Sequence, residues 1–329
     1  MKRTIFFKNK PKILATSSIA GPKESQGSIN EFIETKLDDD MYGQESFERA
    51  ESNMLFTAIK HAINHAKISE GEVDAIIAGD LLNQIISSTF ATRNFNSAYL
   101  GVYNACATFT EALTLGATLV DGEHMDRVVC ATSSHFSSAE RQYRYPLELG
   151  CTRPPQSQWT VTGAGACLLS LKGEGPKITS ATVGKIVDFG VIDAYNMGAA
   201  MAPAAADTLL THFKDTKTFP NDFDLIITGD LGTFGSRIFK DLMWEKGYDI
   251  QKQHVDCGEL IYNICEDEYQ GGSGAGCSAL VFSSYIYKRL KNKKFNKIIL
   301  IATGALLSSV SSQQGESIPS IAHAVVIES

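Results

Sequence analysis

Cys106 is the residue with the most chemistry to offer. It stands near the start of YNACATFTEALTLGATL, Tyr103 to Leu119, a run dominated by small and apolar residues. The spacing predicts a buried helix with Asn104 as its N-cap, which leaves Cys106 among the free amides of the first turn. The partial positive charge at a helix N-terminus favours a thiolate there. Apolar burial works against it and raises the thiol pKa. A cysteine so placed is a small buried hydrophobe, a pocket-lining residue or a nucleophile, and its partners decide which.

The candidate partners are spread along the chain. His135 follows RVVCATSS, at a strand edge where parallel-sheet sites gather. Its ring can bond a ligand carboxylate, or it is a loop histidine at the surface. Asp230 ends DLIITGD; its carboxylate can join a calcium ion or cap the strand end. The turn Gly271 to Gly276 lets backbone amides approach an anion, or simply feeds the helix after it. It fits neither a nucleophile elbow nor a dinucleotide fingerprint. Arg141, Arg144 and Arg153, in RQYRYPLELGCTRPP, can grip a carboxylate with both guanidinium nitrogens or serve the surface. His61 and His65 share one helix face, with no third ligand in the sequence around them, so no metal site is expected. Glu111, inside the apolar run, faces a cavity or a subunit partner.

The elements that must position these residues repeat. Thr4 to Phe7 and Lys12 to Thr16 read as short strands, Gly21 to Tyr42 as a polar surface excursion, and Ser46 to Ala66 as an amphipathic helix. Strand Asp74 to Asp80, a helical stretch Asn83 to Phe90, the Cys106 helix, strand Arg127 to Ser134 and strand Gly165 to Leu171 follow. GEGP at Gly173 to Pro176 punctuates the chain and the order restarts. A strand is expected over Thr179 to Asp188 and a helix over Met201 to Phe213, entered through Pro203. DLIITGD matches DAIIAGD at five of seven positions, and KIILIATG parallels RVVCATSS. The offset of 171 that carries Ala131-Thr132 to Ala302-Thr303 also carries Cys106 to Cys277, which opens a second apolar helix. The final strand, IAHAVVIE, mirrors the one before Gly173. Two halves, 1–172 and 173–329, are therefore expected. Apolar strands alternating with apolar helices imply an α/β chain with parallel sheets covered on both faces. The helices at Cys106 and Cys277 would pack together between two sheets, giving five layers, α-β-α-β-α.

Composition narrows the function. The chain has 329 residues, 43% of them hydrophobic, enough for a large core. With a net charge of -7, nothing marks a nucleic-acid binder and none is expected as a partner. Seven scattered cysteines with no CxxC pair point to free thiols in a reducing compartment. MKRTIFFKNK is too charged for a signal peptide, and no apolar run has the length of a membrane span, so any membrane attachment is peripheral.

The duplicated halves, the ACA turn and the strand WTVTGAGACLLS resemble the thiolase superfamily, and within it the type-three β-ketoacyl synthases, over essentially the whole chain. SSIAGPKESQG, GGSGAGCSA and QQGESIPSIAHAV together resemble the stage V sporulation protein AD family more closely. That resemblance implies a thiolase-like fold that binds dipicolinic acid, or its calcium chelate, for uptake into developing spores. It implies no cofactor of its own, peripheral attachment to the forespore or spore inner membrane, and SpoVA membrane proteins as partners. The superfamily implies a homodimer. Condensing enzymes pair their cysteine with His and His, or His and Asn, which stabilise the thioester oxyanion. The resemblance puts the first of these at Gly229-Asp230-Leu231-Gly232, which holds no His. It puts the second at the glycine turn, where Ala275 and Gly276 stand. The second thiolase cysteine would fall in Ala302-Thr303-Gly304-Ala305. A degenerate site follows, with no catalytic residue and a pocket lined by Cys106, His135, Asp230, Ala275, Gly276, Thr303 and Gly304. The alternative is an acyl-CoA or acyl-carrier-protein condensing enzyme that uses Cys106, with His135 serving it; a third reading is a scaffold with an empty pocket.

Overall fold

The computed structural model describes residues 2–143, 153–262 and 269–329. Its strands are β1 (Thr4–Phe6), β2 (Lys12–Ala20), β3 (Thr35–Lys36), β4 (Ala75–Gly79), β5 (Ala98–Gly101), β6 (Arg127–Ser134), β7 (Trp159–Thr160), β8 (Gly163–Ser170), β9 (Lys177–Thr182), β10 (Leu225–Thr228), β11 (His254–Asp256), β12 (Gly272–Ser273), β13 (Lys297–Ala305) and β14 (Ser320–Glu328). The helices are α1 (Phe47–His65), α2 (Ile86–Thr92), α3 (Thr108–Asp121), α4 (Phe136–Tyr143), α5 (Met197–Thr216), α6 (Gly232–Glu245), α7 (Cys257–Ile261), α8 (Ala275–Val281), α9 (Tyr287–Lys291) and α10 (Ser309–Gln313). A π-helical turn, Phe282–Ile286, joins α8 to α9 without a break.

Strand order carries the repeat. Along the sheet it runs β5-β4-β6-β8-β2 in the first part of the chain and β11-β10-β13-β14-β9 in the second. Numbered by their place in each part, both read 3-2-4-5-1. The two five-strand sheets meet at a single pair, Lys12 opposite Lys177. The expectation of wholly parallel sheets is corrected. β4 pairs in parallel with β5 and β6, and β10 with β11 and β13, but β6–β8, β8–β2, β13–β14 and β14–β9 are antiparallel. The strands read as continuous apolar runs because helices cover both faces, whatever the strand direction.

Three apolar clusters build the layers. One lies between the two sheets and contains Phe109 of α3 and Phe282 after α8, their rings 5.8 Å apart. Here α3 reaches across to β13 and β14, while α8 packs on β6 and β8. The second cluster packs α1 on the outer face of the first sheet, and the third packs α5 and α6 on the second. The result is the five-layered α-β-α-β-α arrangement. α1 starts where expected, with the Ser46 hydroxyl accepting from the Arg49 amide at 3.3 Å. Ala50, Met54, Ala58 and Ala62 line its buried face at a spacing of four.

Three local expectations change. α5 starts at Met197, so Pro203 lies inside it. β9 stops at Thr182; beyond it, Val187 makes only an isolated bridge to Ser320. The Gly21–Tyr42 segment is not only surface: Glu24, Ile29, Ile33 and Leu37 are buried in it.

Candidate functional site

The Cys106 turn precedes its helix rather than belonging to it. α3 begins at Thr108, and Asn104 does not cap it. Instead the Ala107 amide donates to the Asn104 carbonyl at 3.0 Å, and the Thr108 hydroxyl donates to the Ala105 carbonyl at 2.6 Å. Ala105 adopts a left-handed conformation at φ 49°, a strained choice for a residue with a Cβ. This elbow rests on bare backbone. A Cβ on Gly304 would lie 2.2 Å from the Asn104 carbonyl oxygen, so only glycine lets β13 approach so closely. Beneath it, Asn104 Nδ2 contacts His323 Nε2 at 3.3 Å.

Asp230 is the partner of Cys106. Its carboxylate acts on the thiol through its charge, and the Ser273–Gly274 turn lies alongside both. Burial, and then the charge of Asp230, push the thiol well above its usual range. Asp230 is itself buried, which raises its pKa, but three donors converge on it. Thr303 Oγ1 donates to Oδ1 at 2.8 Å, the Gly274 amide to Oδ2 at 3.0 Å and Ser273 Oγ to Oδ2 at 3.3 Å. These donated bonds favour the charged carboxylate and offset part of the burial penalty. The loop that carries Asp230 is held from behind by Asp256, which accepts from Thr228 Oγ1 at 2.6 Å, the Leu231 amide at 2.8 Å and the Gly232 amide at 3.0 Å. Burial raises Asp256 to about 7 despite these bonds. Gln158 Nε2 ties the Asp230 carbonyl to the Gly272 carbonyl, at 2.7 and 3.0 Å.

Cys106 opens onto an apolar recess with about 450 Å³ of empty space, of which about 40 Å³ admits the centre of a water-sized sphere. Leu81, Ala139, Met197, Ala305 and Leu307 wall it, with Tyr103, Tyr143, Thr160 and Ser273 as its polar lining. None of the described residues lining it is Lys or Arg.

The structure gathers only part of the expected set around this recess. Cys106 lines it; Asp230 and Thr303 stand behind the sulfur. Ala275 packs against Cys106 in a small buried cluster. Gly276 serves the helix start instead, its amide donating to Ser134 Oγ at 3.1 Å. Gly304 supports the elbow. His135 is elsewhere. It is wholly buried, bonds the Asp40 carbonyl through Nε2 at 2.8 Å, accepts from the Ser137 amide through Nδ1 at 3.1 Å, and stacks near Phe47. Both its nitrogens are taken, and it does not line the recess. Arg141 pairs with Glu48. Arg153 pairs with Glu140 at 3.4 Å and lies over Phe136 and Trp159. Arg144 lies outside the described residues. His61 and His65 share a face as expected, with Glu34 Oε1 3.2 and 3.1 Å from their nitrogens. Among the described residues no three His, Cys, Asp or Glu side chains are arranged to hold a metal ion. Sequence reasoning missed Ser273, Tyr103, Tyr143 and Asp256. The serine is one residue of a glycine-rich turn, and nothing in the sequence brings the tyrosines together.

Comparison with known proteins places this geometry. The family model described as stage V sporulation protein AD matches residues 1–328. Stage V sporulation protein AD of Bacillus subtilis (strain 168) is 42% identical over 327 residues, covering 99% of this chain and 97% of that protein. Among solved structures, 3-oxoacyl-[acyl-carrier-protein] synthase III from Aquifex aeolicus VF5 superposes with a TM-score of 0.58 at 14% identity, covering 97% of this chain and 100% of that one. Cerulenin-bound OleA from Xanthomonas campestris gives a TM-score of 0.63 at 15% identity, covering 98% of each chain. At these identities the two enzymes share the fold, and only the fold is inferred from them.

Proposed function

Since the chain belongs to the stage V sporulation protein AD family and has a thiolase-like fold, we propose that it is a binding protein rather than a condensing enzyme. Its ligand is dipicolinic acid, free or as the calcium chelate, taken up into developing spores. The observation that carries this reading is the Cys106–Asp230 pair. Acyl transfer needs a thiolate and donors aimed at the developing oxyanion, and losing one such donor costs about 10²–10³ in rate. Here burial first, and then the Asp230 carboxylate near the sulfur, hold the thiol protonated, and that carboxylate repels negative charge on a bound acyl group.

The recess is built for a flat, largely apolar ligand with a polar edge. Its aliphatic walls suit a pyridine ring, while the Ser273 and Thr160 hydroxyls, which donate to Asp230 and Glu140, present oxygens to a calcium ion in the chelate. With no Lys or Arg among the described lining residues, a bare dianion would enter without a counter-charge. The calcium chelate is neutral and avoids that cost. The protein would work as a peripheral homodimer on the spore inner membrane, beside membrane-embedded SpoVA partners. Among the described residues no helix is long and apolar enough to cross a membrane.

Calorimetric titration with dipicolinate, with and without calcium, tests the reading. Saturable binding is expected, tighter with calcium, and lost in Cys106→Trp, whose indole fills the recess. Unchanged affinity in Cys106→Trp would move the ligand elsewhere. Multiple turnover of an acyl donor through a covalent adduct on Cys106 would overturn the non-catalytic reading.

A further inference from the structure

We propose that the hydroxyl pair Tyr103–Tyr143 is a latch between two halves of one binding tract, and that a ligand reaches Cys106 when the pair parts. The inference rests on the reading of the Cys106 recess as a binding pocket. As it stands, that recess has room for little more than water: about 40 Å³ open to water-sized centres. Small-molecule sites run to roughly 300–1,000 Å³. A second, more open cleft lies against it, with about 440 Å³ by the same measure. The two share Tyr103, Tyr143 and Leu307 as a common wall.

A short hydrogen-bond chain closes that wall. The Tyr143 hydroxyl donates to the Leu81 carbonyl, so its oxygen accepts from the Tyr103 hydroxyl at 3.2 Å. The chain ties three separate pieces of backbone: the segment after β4, the segment after β5 and the end of α4. Tyr103 is 42% exposed, so its ring can swing outward at little cost in buried surface. The floor of the outer cleft is strained. Gln84 and Ile85 are successive non-glycine residues in the left-handed region, at φ 59° and 46°, and Ile85 is β-branched. Strain of this kind persists where surrounding structure over-determines it, and it gathers at ligand clamps. Parting the two tyrosines joins both spaces into a tract with ligand-sized room, with the strained loop along its outer half.

The test reads access to Cys106 without depending on dipicolinate. N-ethylmaleimide labelling of the folded protein, followed by peptide mapping, gives the rate at Cys106 separately from the other thiols. Tyr103→Phe combined with Tyr143→Phe removes the hydrogen-bond chain and keeps the rings. Labelling at Cys106 is expected to quicken by about tenfold, the effect of losing hydrogen bonds that favour the closed state. Leu307→Trp, which thickens the shared wall, is expected to slow it. Equal rates in the native protein and the double Phe variant would overturn the latch. So would an equal rise at Cys277, which would indicate general loosening. Stopped-flow binding of dipicolinate with calcium adds a second arm: association should quicken by the same factor with dissociation little changed, so Kd tightens as the open state is more populated. A weakened Kd with unchanged labelling would overturn the latch and make the tyrosines direct ligand contacts. If labelling follows the latch while dipicolinate fails to bind, the latch stands and the ligand reading of the preceding section falls.

Discussion

At the scale of single residues, the site turns on which group faces the sulfur of Cys106. Burial and the Asp230 carboxylate both hold the thiol protonated, burial being the larger cause. Asp230→Asn removes the charge and keeps the shape, so the thiol should titrate lower while staying above the ordinary cysteine value. Each unit of that fall is a tenfold gain in thiolate at a pH well below the midpoint. Alkylation rate against pH for the two proteins checks this, with Cys106→Ser as the background. Coincident profiles would mean that Asp230 does not govern the thiol. No acyl transfer should appear, because restoring thiolate does not supply the missing oxyanion donors. This much was half legible in the sequence. Cys106 and Asp230 stand out as chemistry-bearing residues, and the absence of His near Asp230 can be read directly. Their apposition cannot be, since the two come from different halves of the chain. His135 misled because a histidine at a strand end reads as functional; the structure spends both its nitrogens on the backbone.

At the scale of elements, the Cys106 elbow is held against β13 by an absence of side chain at Gly304. Gly304→Ala would set a methyl 2.2 Å from the Asn104 carbonyl oxygen, against rigid backbone on both sides. Overpacking of this kind costs roughly 1–3 kcal/mol, more than alanine regains by restricting the unfolded chain. Urea unfolding should show a lower midpoint with an unchanged slope, and ligand affinity should fall because the elbow moves. A native midpoint would show that the elbow yields freely. Most element positions follow from periodicity: α1, β6, β13 and β14 fall close to where apolar spacing puts them. The exceptions have physical causes. α3 starts late because the Ala105 elbow, not an Asn104 cap, begins it. α5 starts early because packing in the outer layer outweighs the cost of an internal Pro203. Strand direction is invisible to hydropathy once both faces are covered, which is why the antiparallel pairings were not foreseen.

At the scale of the whole molecule, the repeat that builds five layers also buries ionisable groups of opposite sign in its interior, and these set how stability follows pH. His212 and His323 are lowered to about 4 and His254 to about 3, in each case chiefly by burial. Their contribution is full above the ordinary histidine pKa and is lost as pH falls through those values. Glu24 works the other way. It is wholly buried and raised to about 7, although the Tyr262 hydroxyl and the Thr162 amide both donate to its Oε1. Its folded pKa lies above its unfolded one, so its contribution is full below about 4.5 and is lost as pH rises through about 7. Glu24→Gln keeps an acceptor for both donors and has no proton to lose. It also places an amide where Oε2 has no hydrogen-bond partner. Near pH 5 the variant and the native chain should therefore differ little. By pH 8 the variant should be the more stable, by up to about 3 kcal/mol for a carboxyl displaced this far. Denaturant unfolding at both pH values measures the difference. A gap that is the same at pH 5 and pH 8 would mean that Glu24 ionises in the folded chain as it does in the unfolded one.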